Sequence, residues 1–75
     1  MKYDEIHIGK MIFNKMKEDG RKTIWLARKL SCDRSNIYKI YEKPNIDIIQ
    51  LLHISQILSH DFFVDISTIL KKTNS

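Results

Sequence analysis

The sequence predicts an all-α chain of five helices in a single domain. Three observations lead there. The 75 residues include only two Gly and one Pro, so breakers are scarce. Apolar residues recur three and four positions apart along most of the chain, the spacing of a helical face rather than a strand. Asp33, Asp47 and Asp61 stand just ahead of such stretches, where helix starts use carboxylate caps. With 43% hydrophobic and 29% charged residues the composition is that of a globular protein, not a disordered one. A chain this size buries only about 60% of its unfolded surface, which leaves no room for an enlarged catalytic cavity.

Asp4 is expected to cap the first helix and Gly20 to end it in the left-handed conformation that Gly tolerates. Ile8, Ile12 and Met16 form its core stripe, with Met11 beside them, and Gly9 within it signals a close approach of another element. A second helix spans about Thr23 to Leu30. Its inner face is Leu26, Ala27 and Leu30, and Trp25, Arg28 and Lys29 point away from that face. Ser31 and Cys32 make a short turn. Asp33 then caps a third helix from Arg34 to Glu42, with Ile37, Ile40 and Tyr41 on the buried side and Ser35, Lys39 and Glu42 opposite.

Pro44 and Asn45 break the chain. Asp47 and Gln50 form the frame of a capping box for a fourth helix that ends near Ser59. Apolar side chains surround most of that helix, so it is expected to be buried on several sides. Leu51, Leu52, Ile54, Leu58 and Phe62 are assigned to the core against the first three helices. Asp61 caps a short fifth helix that Ile69 and Leu70 extend. The folded core is expected over about residues 6–67, with 71–75 as a frayed tail.

Charge is unevenly placed. Of the net +4, the stretch from Lys10 to Lys43 carries +6, with ten basic residues against four acidic ones, and the remainder carries −2. That asymmetry points to a polyanion, nucleic acid before an anionic membrane. Residues 23 to 42 fit a helix-turn-helix: two short helices joined by a tight turn, the second basic and polar outside. The geometry has a purpose. A duplex major groove, about 12 Å wide, admits one helix. A second helix must hold that one at a fixed angle for its side chains to register with base edges. Ala27 is small where the two would touch.

The segments "IGKMIFNKMKEDG", "WLARKLSCDRSNIYKIYEK" and "ISQILSHDFF" resemble the lambda-repressor-like (Cro/CI, XRE-type) DNA-binding domains, over roughly residues 6 to 67. The resemblance, closest to small single-domain bacterial regulators, implies a compact five-helix fold and sequence-specific binding to double-stranded DNA as a homodimer; the main reading is a transcriptional regulator, a repressor, with activation left open. It also implies that Arg34, Ser35, Asn36 and Lys39 supply base contacts and that Lys22 and Thr23 meet phosphate. Two positions depart from the family pattern. Ser31 stands where the turn usually has Gly and so needs a positive φ or a slightly altered turn. Lys22 stands where the second helix usually starts with Ser or Thr, so capping shifts to Thr23 or is lost.

On chemistry alone, Arg34 and Lys39 suit guanine or phosphate and Asn36 suits adenine or phosphate, while Tyr38 and Lys43 join Lys22 and Thr23 as backbone contacts. The bland alternative is a solvated helix face. Trp25 is open between packing on a neighbouring element, shielding a partner surface and lying against the DNA backbone. Ile57, Phe63, Ile66 and Ile69 are candidates for an exposed patch that forms the homodimer; alternatively they complete the monomer core.

No Gly-rich phosphate loop and no nucleophile motif is present, so no enzyme and no cofactor is expected. His7, His53, His60 and Cys32 lack metal-ligand spacing. Cys32 reads as a small core residue, and one cysteine excludes an intrachain disulfide, which fits a reducing cytoplasm. Met1 to Lys10 is mixed and charged, unlike a signal peptide, and no small-molecule ligand or membrane span is expected. The alternative function is a protein-interaction module of the same fold, such as an antitoxin-like adaptor. A peripheral membrane binder is the weaker third.

Overall fold

The computed structural model describes residues 6–74, and all regular structure among them is helical. The helices are α1 (Ile8–Glu18), α2 (Thr23–Lys29), α3 (Arg34–Glu42), α4 (Ile48–Leu58) and α5 (Phe62–Asn74). Asp4, expected to cap the first helix, lies outside the described residues. His7 holds the N-cap position instead, its Nδ1 accepting from the Lys10 amide at 3.1 Å.

Three of the helices end the same way. After α1, Gly20 sits at φ 69°. There the Arg21 amide donates to the Met16 carbonyl and the Gly20 amide to that of Lys17. This double bond pattern closes the orphaned carbonyls of a helix end around one left-handed residue. After α2 the left-handed residue is Ser31, at φ 55°, with Cys32 donating to Ala27 and Ser31 to Arg28. After α4 it is Ser59, at φ 51°, with His60 donating to Ser55 and Ser59 to Gln56. So Ser31 does take the positive φ that its place in the turn demands. A side chain in that region costs about 1–2 kcal/mol, and glycine returns about 0.4–1 kcal/mol as extra unfolded-state entropy. Ser31→Gly is therefore expected to stabilise the protein by up to about 1 kcal/mol. Thermal denaturation checks it, and an unchanged or lower midpoint would mean that the turn is not strained.

Lys22 occupies the N-cap of α2 without a side-chain bond, so capping is lost there rather than shifted to Thr23. Asp33 is at the N-cap of α3, but its carboxylate makes no cap bond; its carbonyl accepts from the Asn36 amide at 3.0 Å. Asp47 does cap α4, accepting from the Gln50 amide at 3.1 Å. Asp61 opens α5, its Oδ1 accepting from the Phe63 and Val64 amides at 3.0 and 3.1 Å. His60 Nε2 lies 2.7 Å from Asp65 Oδ2 and ties the preceding turn to the first turns of α5.

The core draws on every helix. α1 contributes Ile8, Ile12 and Met16; α2 Leu26 and Ala27; α3 Ile37 and Ile40; α4 Leu51, Ile54 and Leu58; α5 Phe62. Ser55 is also buried, and its hydroxyl has no hydrogen-bond partner. α3 packs against both α1 and α2.

Three expectations are corrected and one left open is resolved. Leu52, assigned to the core, is exposed, because α4 turns Leu51, Ile54, Ser55 and Leu58 inward and leaves Ile48, Ile49 and Leu52 to solvent. Ile57, Phe63 and Ile66 are half-buried against the core rather than an open patch, and Ile69 is half-buried too. Trp25, left open among three surroundings, takes the first of them: it is half-buried against the core and roofed by the Arg21 guanidinium at 4.3 Å. The fifth helix is not short, and residues 71–74 are helical rather than frayed. No breaker follows Leu70, and Lys71 and Lys72 suit the negative end of the helix dipole.

Candidate nucleic-acid interface

α3 is nine residues long and held on three sides. Below, Ile37 and Ile40 are buried in the core. Toward α2, the Tyr41 hydroxyl and Thr23 Oγ1 lie 3.2 Å apart. At its C-terminal end it meets the start of α1. The Ile8 amide donates to the Pro44 carbonyl and the Gly9 amide to the Lys43 carbonyl, both at 2.9 Å. The positive end of one helix dipole thus faces the negative end of the other. Gly9 allows this approach: a Cβ there would overlap the carbonyl oxygens of Ile40 and Tyr41.

That support leaves one side of α3 open. Arg34, Ser35, Asn36, Tyr38, Lys39, Glu42 and Lys43 are all exposed. At 100° per residue, Ser35, Lys39 and Glu42 form the outermost line. Arg34 and Tyr38 lie on the flank toward α1. Asn36 and Lys43 lie on the flank toward α4, where with Lys39, Gln50 and His53 they border a groove of about 530 Å³. Glu42 removes one positive charge from this surface.

The basic residues divide into two groups. Lys15 is paired with Glu18 and Asp19 at 3.8 and 3.6 Å. Arg21 and Lys29 cover Trp25, and Lys17 lies over Phe13 at 5.4 Å. Among the described residues, no ion pair or ring contact engages Lys10, Lys22, Arg28, Arg34, Lys39, Lys43 or Lys71. Apart from Lys10 on α1 and Lys71 on α5, these unpaired cations lie on α2, α3 and their flanks, which draws much of the positive field of the middle segment there.

The residues expected to touch DNA are therefore brought together, with one qualification of role. Thr23 is half-buried and its hydroxyl is engaged with Tyr41, so it braces α3. Burial pushes the Tyr41 hydroxyl above its ordinary value; the hydrogen bond with Thr23 opposes this and Tyr38 adds to it. Tyr41 is thus neutral at physiological pH and can share a proton with Thr23.

Other features escape sequence reasoning. Ile48 and Ile49 are 68% and 58% exposed at the start of α4, next to Leu52. Phe13 is exposed on α1 and packs edge-on to Tyr41, ring centroids 5.1 Å apart. Arg21 and Lys29 stand four positions either side of Trp25, a helical spacing that could have announced the roofed indole. Among the described residues no group of three or more His, Cys, Asp or Glu side chains could hold a metal ion. Among them, too, no helix is long and apolar enough to cross a membrane.

Comparison with protein-family models, curated proteins and solved structures finds no match for this chain.

Proposed function

We propose that the chain is a sequence-specific double-stranded-DNA-binding transcriptional regulator, a repressor, in which α2 and α3 form a helix-turn-helix of the lambda-repressor-like kind. One observation carries it: a short helix pinned on its inner face, at its C-terminus and toward α2, with unpaired Arg34, Lys39 and Lys43 and an exposed Asn36 on its open side. Rigid support plus free donors is what base readout needs. Arg34, Ser35, Asn36 and Lys39 are the base-reading group. Lys22, Tyr38 and Lys43 position the phosphate backbone.

A homodimer on a near-palindromic site belongs to the same reading, since two contact helices about 34 Å apart meet successive turns of one groove face. Ile57, Phe63, Ile66 and Ile69 contribute to it through whatever surface their half-burial leaves, and Ile48, Ile49 and Leu52 offer a more open apolar face.

Selection of bound sites from random duplexes, followed by a mobility shift with the selected sequence, tests the proposal. Affinity is also expected to fall steeply with salt. If Lys22 and Lys43 of each protomer in a dimer neutralise one phosphate apiece, log K falls with log salt at a slope of about −3.6. Failure to enrich any sequence, with affinity flat between low and physiological salt, would reject a DNA-binding role.

The second reading is a protein-interaction module. The exposed Ile48, Ile49 and Leu52 favour it, because contiguous apolar surface on a small domain marks partner sites.

A further inference from the structure

A second surface lies beside the one just described. Phe13, Tyr38 and Tyr41 gather at the seam of α1 and α3, with Lys10 and Glu42 on the rim of a pocket of about 260 Å³. Both outer rings meet Tyr41 nearly at right angles, at interplanar angles of 68° and 75°. Phe13 is 41% and Tyr38 53% exposed, although each is large enough to have served the core. Aromatic rings that stay open around a concavity are characteristic of anchor sites for a partner side chain.

We infer that this pocket docks an acidic protein segment carrying a single apolar anchor. The anchor enters between Phe13 and Tyr38 onto the Tyr41 ring. The charge around it selects the partner's sign. Lys10 and Lys17 flank Phe13 on α1, at three positions before and four after, so their stems emerge about 10 Å apart along the helix. Two carboxylates seven positions apart on a partner helix, with the anchor between them, match that spacing. Glu42, the one acidic group on the rim, disfavours a phosphate-lined strand, whose charges are closely spaced and unavoidable. A protein segment can leave an uncharged residue opposite Glu42. The pocket shares Tyr38 with the proposed phosphate contacts, so a docked segment and a DNA backbone would compete for that ring.

The test is a titration of the whole chain with short helical peptides, read on the ring resonances of Phe13 and Tyr38. One peptide carries a Leu anchor with Glu four positions before and three after it. A second has Lys at both flanks, and a single-stranded oligothymidylate serves as the polyanion without an anchor. The Glu peptide is expected to shift both rings saturably. Phe13→Ala and the double variant Lys10→Glu, Lys17→Glu are each expected to weaken it about tenfold. Phe13 is partly exposed and both lysines are at the surface, so these variants are expected to fold, and circular dichroism confirms it. Absence of ring shifts, equal binding of the Lys peptide, or stronger shifts with the oligothymidylate would overturn the inference.

Discussion

Gly9→Ala is expected to destabilise the protein by about 2–3 kcal/mol, although alanine is the better helix former. Propensity alone would favour the substitution by about 1 kcal/mol. The added methyl, however, lands on the Ile40 and Tyr41 carbonyl oxygens, and these are backbone atoms of a helix that cannot rotate away. Relief requires α1 and α3 to separate. That stretches the bonds from Ile8 to Pro44 and from Gly9 to Lys43 and loosens the core where α1 packs on α3. A domain of this length has a total stability of roughly 4–11 kcal/mol, so the loss is a large share of it. Urea denaturation measures the effect. A variant as stable as the parent would show that the two helices do not approach so closely. Because the seam also sets the tilt of α3, affinity for a selected duplex is expected to fall with stability.

Replacing Arg34, Asn36 and Lys39 together by alanine is expected to lower affinity for the preferred duplex at least 100-fold, about 3 kcal/mol. Each side chain that pairs with a base edge is worth about 1–3 kcal/mol of discrimination, and three such losses fall short of full additivity. All three residues are exposed and none supports the core, so the fold is expected to change by no more than about 0.5 kcal/mol. Binding to random duplex is expected to drop much less. Fluorescence anisotropy with both duplexes separates the outcomes: equal losses would assign these residues to phosphate, and no loss on either would remove α3 from the interface.

The all-helical architecture and the bounds of α3 were legible in the sequence because punctuation is strong there. Asp33 precedes the helix, Pro44 follows it, and Ile37 and Ile40 fix its inward side. Gly9 was legible as a close approach, since a glycine between apolar core positions of a helix needs a steric reason. The direction of α4 was not. Nearly all its faces are apolar, so the wheel could not tell Leu51, which is buried, from Leu52, which is not. Half-burial of Ile57, Phe63 and Ile66 follows from the same ambiguity, resolved only by where α5 lands. Trp25 stayed open because helical angle alone ignores the reach of an indole and the Arg21 stem that covers it. Phe13 went unnoticed because it stands off the Ile8, Ile12 and Met16 stripe of its own helix, and its companions Tyr38 and Tyr41 come from another helix. On the candidate site, residue types in α3 were readable one by one. Which cations lie over Trp25 and Phe13 or beside Glu18 and Asp19 required the folded arrangement.

The joint between the start of α1 and the end of α3 has a kinetic side. α2 and α3 are neighbours in sequence and can pair after closing only a short loop, which is fast and entropically cheap. The amides of Ile8 and Gly9 reach carbonyls more than thirty positions away. That closure is one of the long-range events of the fold, and it seats the helix that carries the outward cations. The surface with Arg34 and Lys39 therefore reaches its final orientation only when the first helix returns to it. A chain caught before that moment has its contact residues in helical form but without a fixed bearing, so partly folded molecules would not compete with native ones for the same partner.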